Sequence, residues 1–253
     1  TLLVSSAASD VYKRQTFSQK IDVKNIEILR DSYGVPHIYA KTDAELAYGL
    51  AWAHSEDDFK TIQEAYLAGN GLLSKYIGLR GAPADFLTQL IRSDYVVDSL
   101  YNTIDKNFIK VIEGYAQGIN KFAELNPDQV LVKKLFPITP KKMVKYSFLQ
   151  LFISSEGDKA IRSIFENNVT NISVLDDHKL GSNLFAFSTS ITKNGETYLG
   201  INTHQPLDGP TSWYEAHLVS EEGTNIIGAT FAGAPCILTC LLYTSPSPRD
   251  QSG

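Results

Sequence analysis

The amino-acid sequence predicts an α+β protein in which a helical region is followed by an antiparallel sheet. Apolar residues recur at spacings of three and four through much of residues 42–152, as they do on helices that bury one face. From residue 184 onward, β-branched and aromatic runs are separated by turn residues, which favours strands. The polar, weakly periodic stretch 166–180 lies between these regions and indicates a surface connector.

The elements of the helical region are predicted from turn and capping signals. Residues 25–39 are typical of two short strands around a bend, with Pro36 marking an edge strand. Thr42-Asp-Ala-Glu45 fits a capping box, so a helix should begin there and end near residues 69–71. Two further helices are expected, one over residues 100–125 that stops at Asn126-Pro127 and one that starts at Thr139-Pro140.

The β region is predicted from its turns. Asn194-Gly195 indicates a two-residue hairpin between strands over residues 184–192 and 197–202. A second strand pair, over residues 213–219 and 225–231, is expected around Gly223.

The predicted hairpin also places two polar residues relative to each other. If Asn194 and Gly195 are the turn residues, His204 lies opposite Phe185. Ser182 is then three positions along the neighbouring strand, roughly 10 Å away at about 3.3 Å per residue. A bend in the chain could bring His204 to Ser182, and a structural, hydrogen-bonded histidine is the alternative.

Composition narrows the function classes. The chain of 253 residues has a formal net charge of −5 and 43% hydrophobic residues, which fits a globular core and gives no indication of nucleic-acid binding. No apolar run approaches the length of a membrane span. Of the two cysteines, Cys236 stands alone once the C-terminal end is set aside, so neither a disulfide nor a thiolate metal site is predicted.

Both ends of the sequence resemble translated DNA adapter. Residues 5–15 read SSAASDVYKRQ, and residues 240–250 read CLLYTSPSPRD. If Asp10 to Gln15 is encoded GAT GTG TAT AAG AGA CAG, the reverse complement, read one base out of frame, encodes Cys240 to Thr244. We therefore interpret residues 1–15 and 240–253 as adapter-derived, with a flexible Ser/Pro-rich terminus as the alternative, and expect few buried contacts from them.

Gly181-Ser182-Asn183 stands where the connector meets the first predicted strand of the sheet. One interpretation is a plain turn. The other is that the chain is cut after Gly181, because glycine permits the strained backbone that lets a hydroxyl attack the preceding carbonyl. Ser182 would then supply both the nucleophilic hydroxyl and, through its α-amino group with a pKa of about 7.7 to 8.0, the base that activates it.

An ordered set of motifs resembles the penicillin acylase family of N-terminal-nucleophile hydrolases. The likeness extends over nearly all of residues 16–239, in the same order as in the family. The motifs are Glu27-Ile-Leu-Arg-Asp-Ser-Tyr-Gly-Val-Pro-His-Ile38, Ala44-Glu-Leu-Ala-Tyr-Gly49, Ala51-Trp-Ala-His-Ser-Glu-Asp57, Gly71-Leu-Leu-Ser-Lys-Tyr-Ile-Gly78, Ser182-Asn183, Lys193-Asn-Gly195, Asn202-Thr-His204, Trp213-Tyr-Glu-Ala-His-Leu218 and Gly228-Ala-Thr-Phe-Ala-Gly-Ala-Pro235.

The resemblance implies an αββα sandwich, present here as a truncated part. Residues 16–165 then correspond to a helical α-chain region, residues 166–181 to a connector, and residues 182–239 to the start of a β chain. The mature protein would be a self-processed α/β heterodimer, periplasmic or secreted, that hydrolyses a small acyl amide. No signal peptide is present in the sequence. Calcium is possible by resemblance, with no ligands assignable, and no other cofactor is expected.

The resemblance also implies residue roles. Ser182 is the nucleophile and, with Gly181, the self-processing site. His204 falls where acyl-homoserine lactone and aculeacin-type acylases carry histidine, whereas Thr203 departs from the common proline or aspartate. The oxyanion donors are expected beyond residue 239, so the sequence alone should be inactive. The competing hypothesis is a non-catalytic α/β binding or scaffold module in which Gly181-Ser182 is a plain turn.

Several other polar or aromatic residues could bind a metal or line a pocket. For some of them we favour a structural role, and for the others no role can be assigned. His54 with Asp57 and Asp58 has helical spacing that could hold a metal, although we favour a structural role. The remaining candidates are Glu156 or Asp158 as a calcium ligand, Phe148 and Phe152 as acyl-pocket or core residues, and His37, His178 and His217, for which no partner is assignable.

Overall fold

The computed structural model describes residues 17–155, 157–165 and 182–243, and within them it shows a mixed α+β fold. The strands are β1 Glu27–Arg30, β2 Pro36–Ala40, β3 Asn183–Phe187, β4 Tyr198–Asn202, β5 Tyr214–Ser220, β6 Asn225–Thr230 and β7 Thr239–Tyr243. The helices are α1 Asp43–Gly69, α2 Ser74–Ile77, α3 Ala82–Leu90, α4 Ser93–Leu100, α5 Lys106–Leu125, α6 Pro140–Ser154 and α7 Gly157–Phe165.

A five-stranded sheet in the order β1-β2-β5-β6-β7 joins the two halves of the sequence. Strand β2 pairs antiparallel with β1 and parallel with β5, and Ile38 lies opposite Leu218. The predicted edge position of Pro36 is therefore wrong, because β2 has neighbours on both sides. Pro36 is tolerated because it is the first residue of the strand, where a missing N–H costs least.

Helix α1 packs on this sheet and begins as the capping signal predicts. The Thr42 side chain accepts a hydrogen bond from the Glu45 amide at 3.2 Å, and the Glu45 carboxylate accepts one from the Thr42 amide at 3.1 Å. These bonds satisfy amide donors that have no partner inside the first turn. The helix is kinked at Asp58, and its buried residues Leu50 and Ile62 form the core with α5 and the sheet.

The predicted helix over residues 100–125 is confirmed over its last 20 residues but begins six residues later than expected. Helix α4 ends at Leu100, and α5 begins at Lys106 because the Asp105 side chain accepts hydrogen bonds from the Asn107 and Phe108 amides. Aspartate is favoured just before the first turn of a helix, because its carboxylate accepts hydrogen bonds from the first amide donors. Helix α6 begins after Thr139, as predicted, whereas helices α2, α3, α4 and α7 were not predicted.

The β3–β4 hairpin forms a separate two-stranded sheet with a different register from the predicted one. Phe185 lies opposite Gly200, and Asn183 lies opposite Asn202, so His204 does not lie opposite Phe185. The strands are joined by the ten residues 188–197 rather than by two. Side-chain hydrogen bonds hold this longer connection, including one of 2.7 Å from Thr192 Oγ1 to the Glu196 carbonyl oxygen.

The second predicted strand pair is confirmed as β5 and β6, and β7 extends the sheet beyond it. Tyr243 of β7 lies opposite Ile226, and Cys240 lies opposite Gly228. Residues 240–243 therefore make backbone contacts, in contrast to the expectation that the adapter-like end lies apart from the fold. Strand pairing uses backbone groups that every non-proline residue carries, so it accepts unrelated sequences.

A helix that crosses a bilayer needs about 20 predominantly apolar residues. Among the residues that the structure describes, no helix is both long and apolar enough to cross a bilayer.

Candidate functional site

Ser182 is exposed and immediately precedes β3. The register of the hairpin sets its surroundings, because Asn183, the next residue, pairs with Asn202 at the end of β4. Gly181, the predicted partner in self-processing, lies outside the described residues, so the peptide bond that is predicted to be cut is not described.

His204 lies just beyond β4, beside the residue that follows Ser182. Its backbone has φ of 51°, in the left-handed region, and its N–H donates to Asn202 Oδ1 at 2.9 Å. This turn directs the ring back to the start of β3, where His204 Nε2 lies 3.5 Å from Asn183 Nδ2. The shifted register thus brings His204 nearer to the start of β3 than the predicted one did.

A second contact fixes the base of the hairpin to the five-stranded sheet. Trp213 Nε1 donates a hydrogen bond to Thr203 Oγ1, next to His204. The Trp213 ring stacks on Phe231 with centroids 4.1 Å apart and 19° between the planes. A cavity of about 200 Å³ opens here, and it is lined by Ile201, Thr203, Trp213, Glu215, Ala229 and Thr239. Thr203, the residue that departs from the family pattern, therefore links the hairpin to the segment that leads into β5.

The cluster that was considered for metal binding is engaged in other contacts. His54 is buried, and its ring stacks on Tyr214 with centroids 3.8 Å apart. Asp57 accepts hydrogen bonds from Arg30 Nη1 at 2.9 Å and from the Tyr214 hydroxyl at 2.6 Å. Burial lowers the pKa of His54 to about 4, so the ring is neutral at pH 7. These contacts support the structural role that the sequence analysis favoured.

Two histidines without an assignable partner in the sequence contact each other. His37 Nδ1 lies 3.0 Å from His217 Nδ1, across the parallel pairing of β2 and β5. No local signal predicts this contact, because the two residues are 180 positions apart and the pairing depends on the whole sheet.

The remaining candidates are placed only in part. Phe148 and Phe152 are half-buried on α6. Glu156, His178 and the side chain of Asp158 lie outside the described residues, so the calcium hypothesis stays a prediction. Within the described residues, no cluster of three or more His, Cys, Asp or Glu side chains could hold a metal ion.

Comparison with known proteins shows that this chain is similar to several acylases. An acyl-homoserine lactone acylase PvdQ from Pseudomonas fluorescens (strain Pf0-1) is 24% identical over 253 residues, covering 88% of this chain and 32% of the relative. Penicillin G acylase from Escherichia coli is 27% identical over 161 residues, covering 60% and 19%. Aculeacin-A acylase from Actinoplanes utahensis is 23% identical over 252 residues, covering 83% and 31%.

Among solved structures, a thermostable penicillin G acylase from Alcaligenes faecalis matches with a TM-score of 0.44 and 18% identity, over 64% of this chain and 98% of that chain. The chain spans about a third or less of the length of these three curated relatives, since it covers 19% to 32% of them. The family model described as Penicillin amidase matches residues 25–240, which is most of the sequence. The chain therefore belongs to the penicillin amidase family.

Proposed function

We propose that this chain is part of an amidohydrolase that cleaves a linear acyl amide, with Ser182 as an N-terminal nucleophile. Cleavage between Gly181 and Ser182 would create that N-terminus and divide the protein into the two chains of a heterodimer. The observation that carries the proposal is the exposed position of Ser182 directly before β3, next to Asn183, whose side chain contacts His204 just beyond β4, within a family match that includes both Ser182 and His204.

The proposed chemistry needs one residue for two tasks. The Ser182 α-amino group accepts the hydroxyl proton, and Oγ attacks the amide carbonyl. The amine leaves, an acyl ester remains on Oγ, and water releases the acid. Donors must stabilise the oxyanion that forms in each step, and we propose that residues beyond 239 supply them. The 253-residue chain by itself should then turn over no substrate.

The β3–β4 hairpin carries apolar side chains on both faces, although these side chains are exposed. Its apolar residues Leu184, Phe185, Phe187 and Leu199 are each about half exposed or more, although adjacent residues of a strand point to opposite faces. A strand that is apolar on both faces is typical of a sheet that is covered on both sides. This supports the proposal that further protein encloses Ser182 and that the complete site is a closed pocket.

His204 favours one branch of the family. The curated relatives include acylases named for acyl-homoserine lactone and for aculeacin A, and His204 matches the histidine that the resemblance assigns to that branch. We therefore propose a long-chain acyl amide as the substrate, and a periplasmic or secreted location. His204 would orient Ser182 or the substrate through its contact with Asn183.

Expression of the longer coding sequence tests the proposal. Terminal sequencing of the mature protein should find a chain that begins Ser-Asn-Leu-Phe, and Ser182→Ala should abolish both maturation and turnover. The matched control is Ser188→Ala, because Ser188 is an exposed hydroxyl at the other end of β3. A single intact chain that hydrolyses acyl amides, or full activity in folded Ser182→Ala protein, would refute the mechanism. Preference for a phenylacetyl over a long-chain acyl amide would overturn the branch assignment alone.

A further inference from the structure

His37 and His217 form a pair on the sheet, away from Ser182. They lie opposite each other in the parallel register of β2 and β5, with their ring centroids 5.1 Å apart and their planes at 89°. Their neighbours Ile38 and Leu218 are buried against the helices. Because successive side chains of a strand alternate, the two imidazoles lie on the opposite face of the sheet.

The outer nitrogens of both rings face oxygen acceptors. His217 Nε2 lies 3.0 Å from Asn225 Oδ1, and His37 Nε2 lies 3.7 Å from the Asp31 carboxylate. A carboxylate and an amide oxygen accept hydrogen bonds but donate none, so they favour an N–H at each Nε2. In the neutral rings, each Nδ1 then carries a lone pair, and the two Nδ1 atoms lie 3.0 Å apart.

We propose that His37 and His217 form a two-imidazole binding site for a divalent transition-metal ion such as Zn²⁺. Two lone pairs at this distance repel each other unless a cation bridges the two nitrogens. With a usual Zn–N distance of about 2.0–2.1 Å, one ion can bond both Nδ1 atoms at their present separation, with an N–Zn–N angle of roughly 95°.

The surroundings match those of metal-binding histidines. A ligating histidine usually donates its other ring N–H to a carboxylate or carbonyl oxygen, and Asp31 and Asn225 are in those positions. Asp31 is itself held in place, because it accepts hydrogen bonds from the amides of Tyr33 at 2.8 Å and Val35 at 3.0 Å. The His37 ring is therefore oriented before the ion binds.

The number and type of ligands set the selectivity. The side chain of His37 is 26% exposed, so water can complete the coordination shell. The protein supplies two ligands, since no third His, Cys, Asp or Glu joins them in the described part of the chain. Imidazole nitrogen suits zinc, copper and nickel, whereas calcium and magnesium prefer oxygen. The site therefore differs in chemistry from any calcium site.

Titration calorimetry of the full chain with ZnCl₂ tests the proposal. One ion should bind per chain, and CaCl₂ should give no binding. His37→Gln and His217→Gln should each weaken binding by roughly tenfold or more, and Asn225→Ala by about 10-fold to 100-fold, the usual loss when a ligating histidine is no longer oriented. The matched control is His178→Gln, which removes a histidine outside the pair and should leave binding unchanged. Cys236→Ser excludes binding at the thiol.

Nuclear magnetic resonance of ¹⁵N-histidine-labelled protein decides the question even if a variant does not fold. Addition of Zn²⁺ to the unmodified chain should shift the Nδ1 resonances of two histidines, assigned as His37 and His217 from the variants that fold. The proposal would be overturned by three results: no zinc binding, binding that persists in a folded double variant, or shifts confined to other histidines.

Discussion

The imidazole of His54 lies flat against the phenol ring of Tyr214, with 3.8 Å between the centroids and 5° between the planes. The Tyr214 hydroxyl donates to Asp57, which also accepts from Arg30. These four residues connect β1, α1 and β5, so the contacts join segments from both halves of the sequence. The cluster therefore holds the start of β5 on the helical region, close to Trp213 and the base of the hairpin.

Burial of His54 should make the fold less stable in mild acid. The folded-state pKa of about 4 is below the ordinary value of 6.5, so the unfolded chain binds a proton that the folded chain excludes. The free energy of unfolding should therefore fall as pH decreases from 6.5 to 4, by about 3 kcal/mol from this group. His54→Phe keeps the stacked ring and removes the titration. Urea unfolding at several pH values should show a smaller acid loss in this variant, and equal losses would contradict the prediction.

Loss of the Tyr214 hydroxyl should weaken the same cluster. Tyr214→Phe keeps the stacked ring but removes the 2.6 Å hydrogen bond to Asp57. Because the acceptor is charged but partly exposed, the expected loss in the free energy of unfolding is about 1–2 kcal/mol. Tyr33→Phe is the matched control, since Tyr33 is 91% exposed and should change stability by less than about 0.5 kcal/mol. Equal stability of the two variants would be evidence against the cluster.

The crossing of α1 and α5 depends on Gly114. A Cβ at this position would lie 2.0 Å from the Ala44 carbonyl oxygen, and neither backbone can move without opening the core. Gly114→Ala should therefore lower the free energy of unfolding by about 1–3 kcal/mol, the usual cost of overpacking. Lys121→Ala, on the exposed part of the same helix, should change it by less than about 0.5 kcal/mol. An unchanged melting temperature in Gly114→Ala would contradict this account.

Helix starts could be predicted from the sequence because their causes are local. The hydrogen bonds of the Thr42 capping box span three residues, and the Thr139 side chain accepts from the Lys142 amide at 3.2 Å over the same distance. The start of α5 after Asp105 has an equally local cause, because the Asp105 side chain accepts hydrogen bonds from the amides of Asn107 and Phe108. Apolar periodicity alone predicts a start near residue 100, whereas the capping preference of aspartate predicts the observed one.

The hairpin register could not be predicted, because Asn194-Gly195, the strongest turn signal, does not join the two strands directly. Asn194 and Gly195 lie inside a ten-residue connection, where the Asn194 side chain contacts Glu196 and Tyr198 instead. The roles of Ser182 and His204 are predicted from residue type and resemblance, which do not depend on register, and they stay predictions. The His37–His217 contact depends on a parallel pairing of distant strands, which periodicity does not encode.

The last prediction separates the roles of His204 and Asn183 in the longer protein. As a hydrogen-bond donor, Asn183 Nδ2 favours the tautomer of His204 in which Nε2 is unprotonated. If Asn183 acts by positioning this ring, its effect on turnover should depend on His204. His204→Ala should lower kcat by roughly 10² to 10⁴, with cleavage after Gly181 retained.

Asn183→Ala should lower kcat by a smaller factor with KM little changed, and the double variant should be no slower than His204→Ala, because one interaction can be lost only once. Asn194→Ala is the matched control, since it removes hydrogen bonds at the far end of the same hairpin. Steady-state rates with a long-chain acyl amide, together with a count of mature chains, provide the measurement. Losses that multiply in the double variant would show that Asn183 and His204 act independently, and would assign Asn183 to the strand rather than to the site.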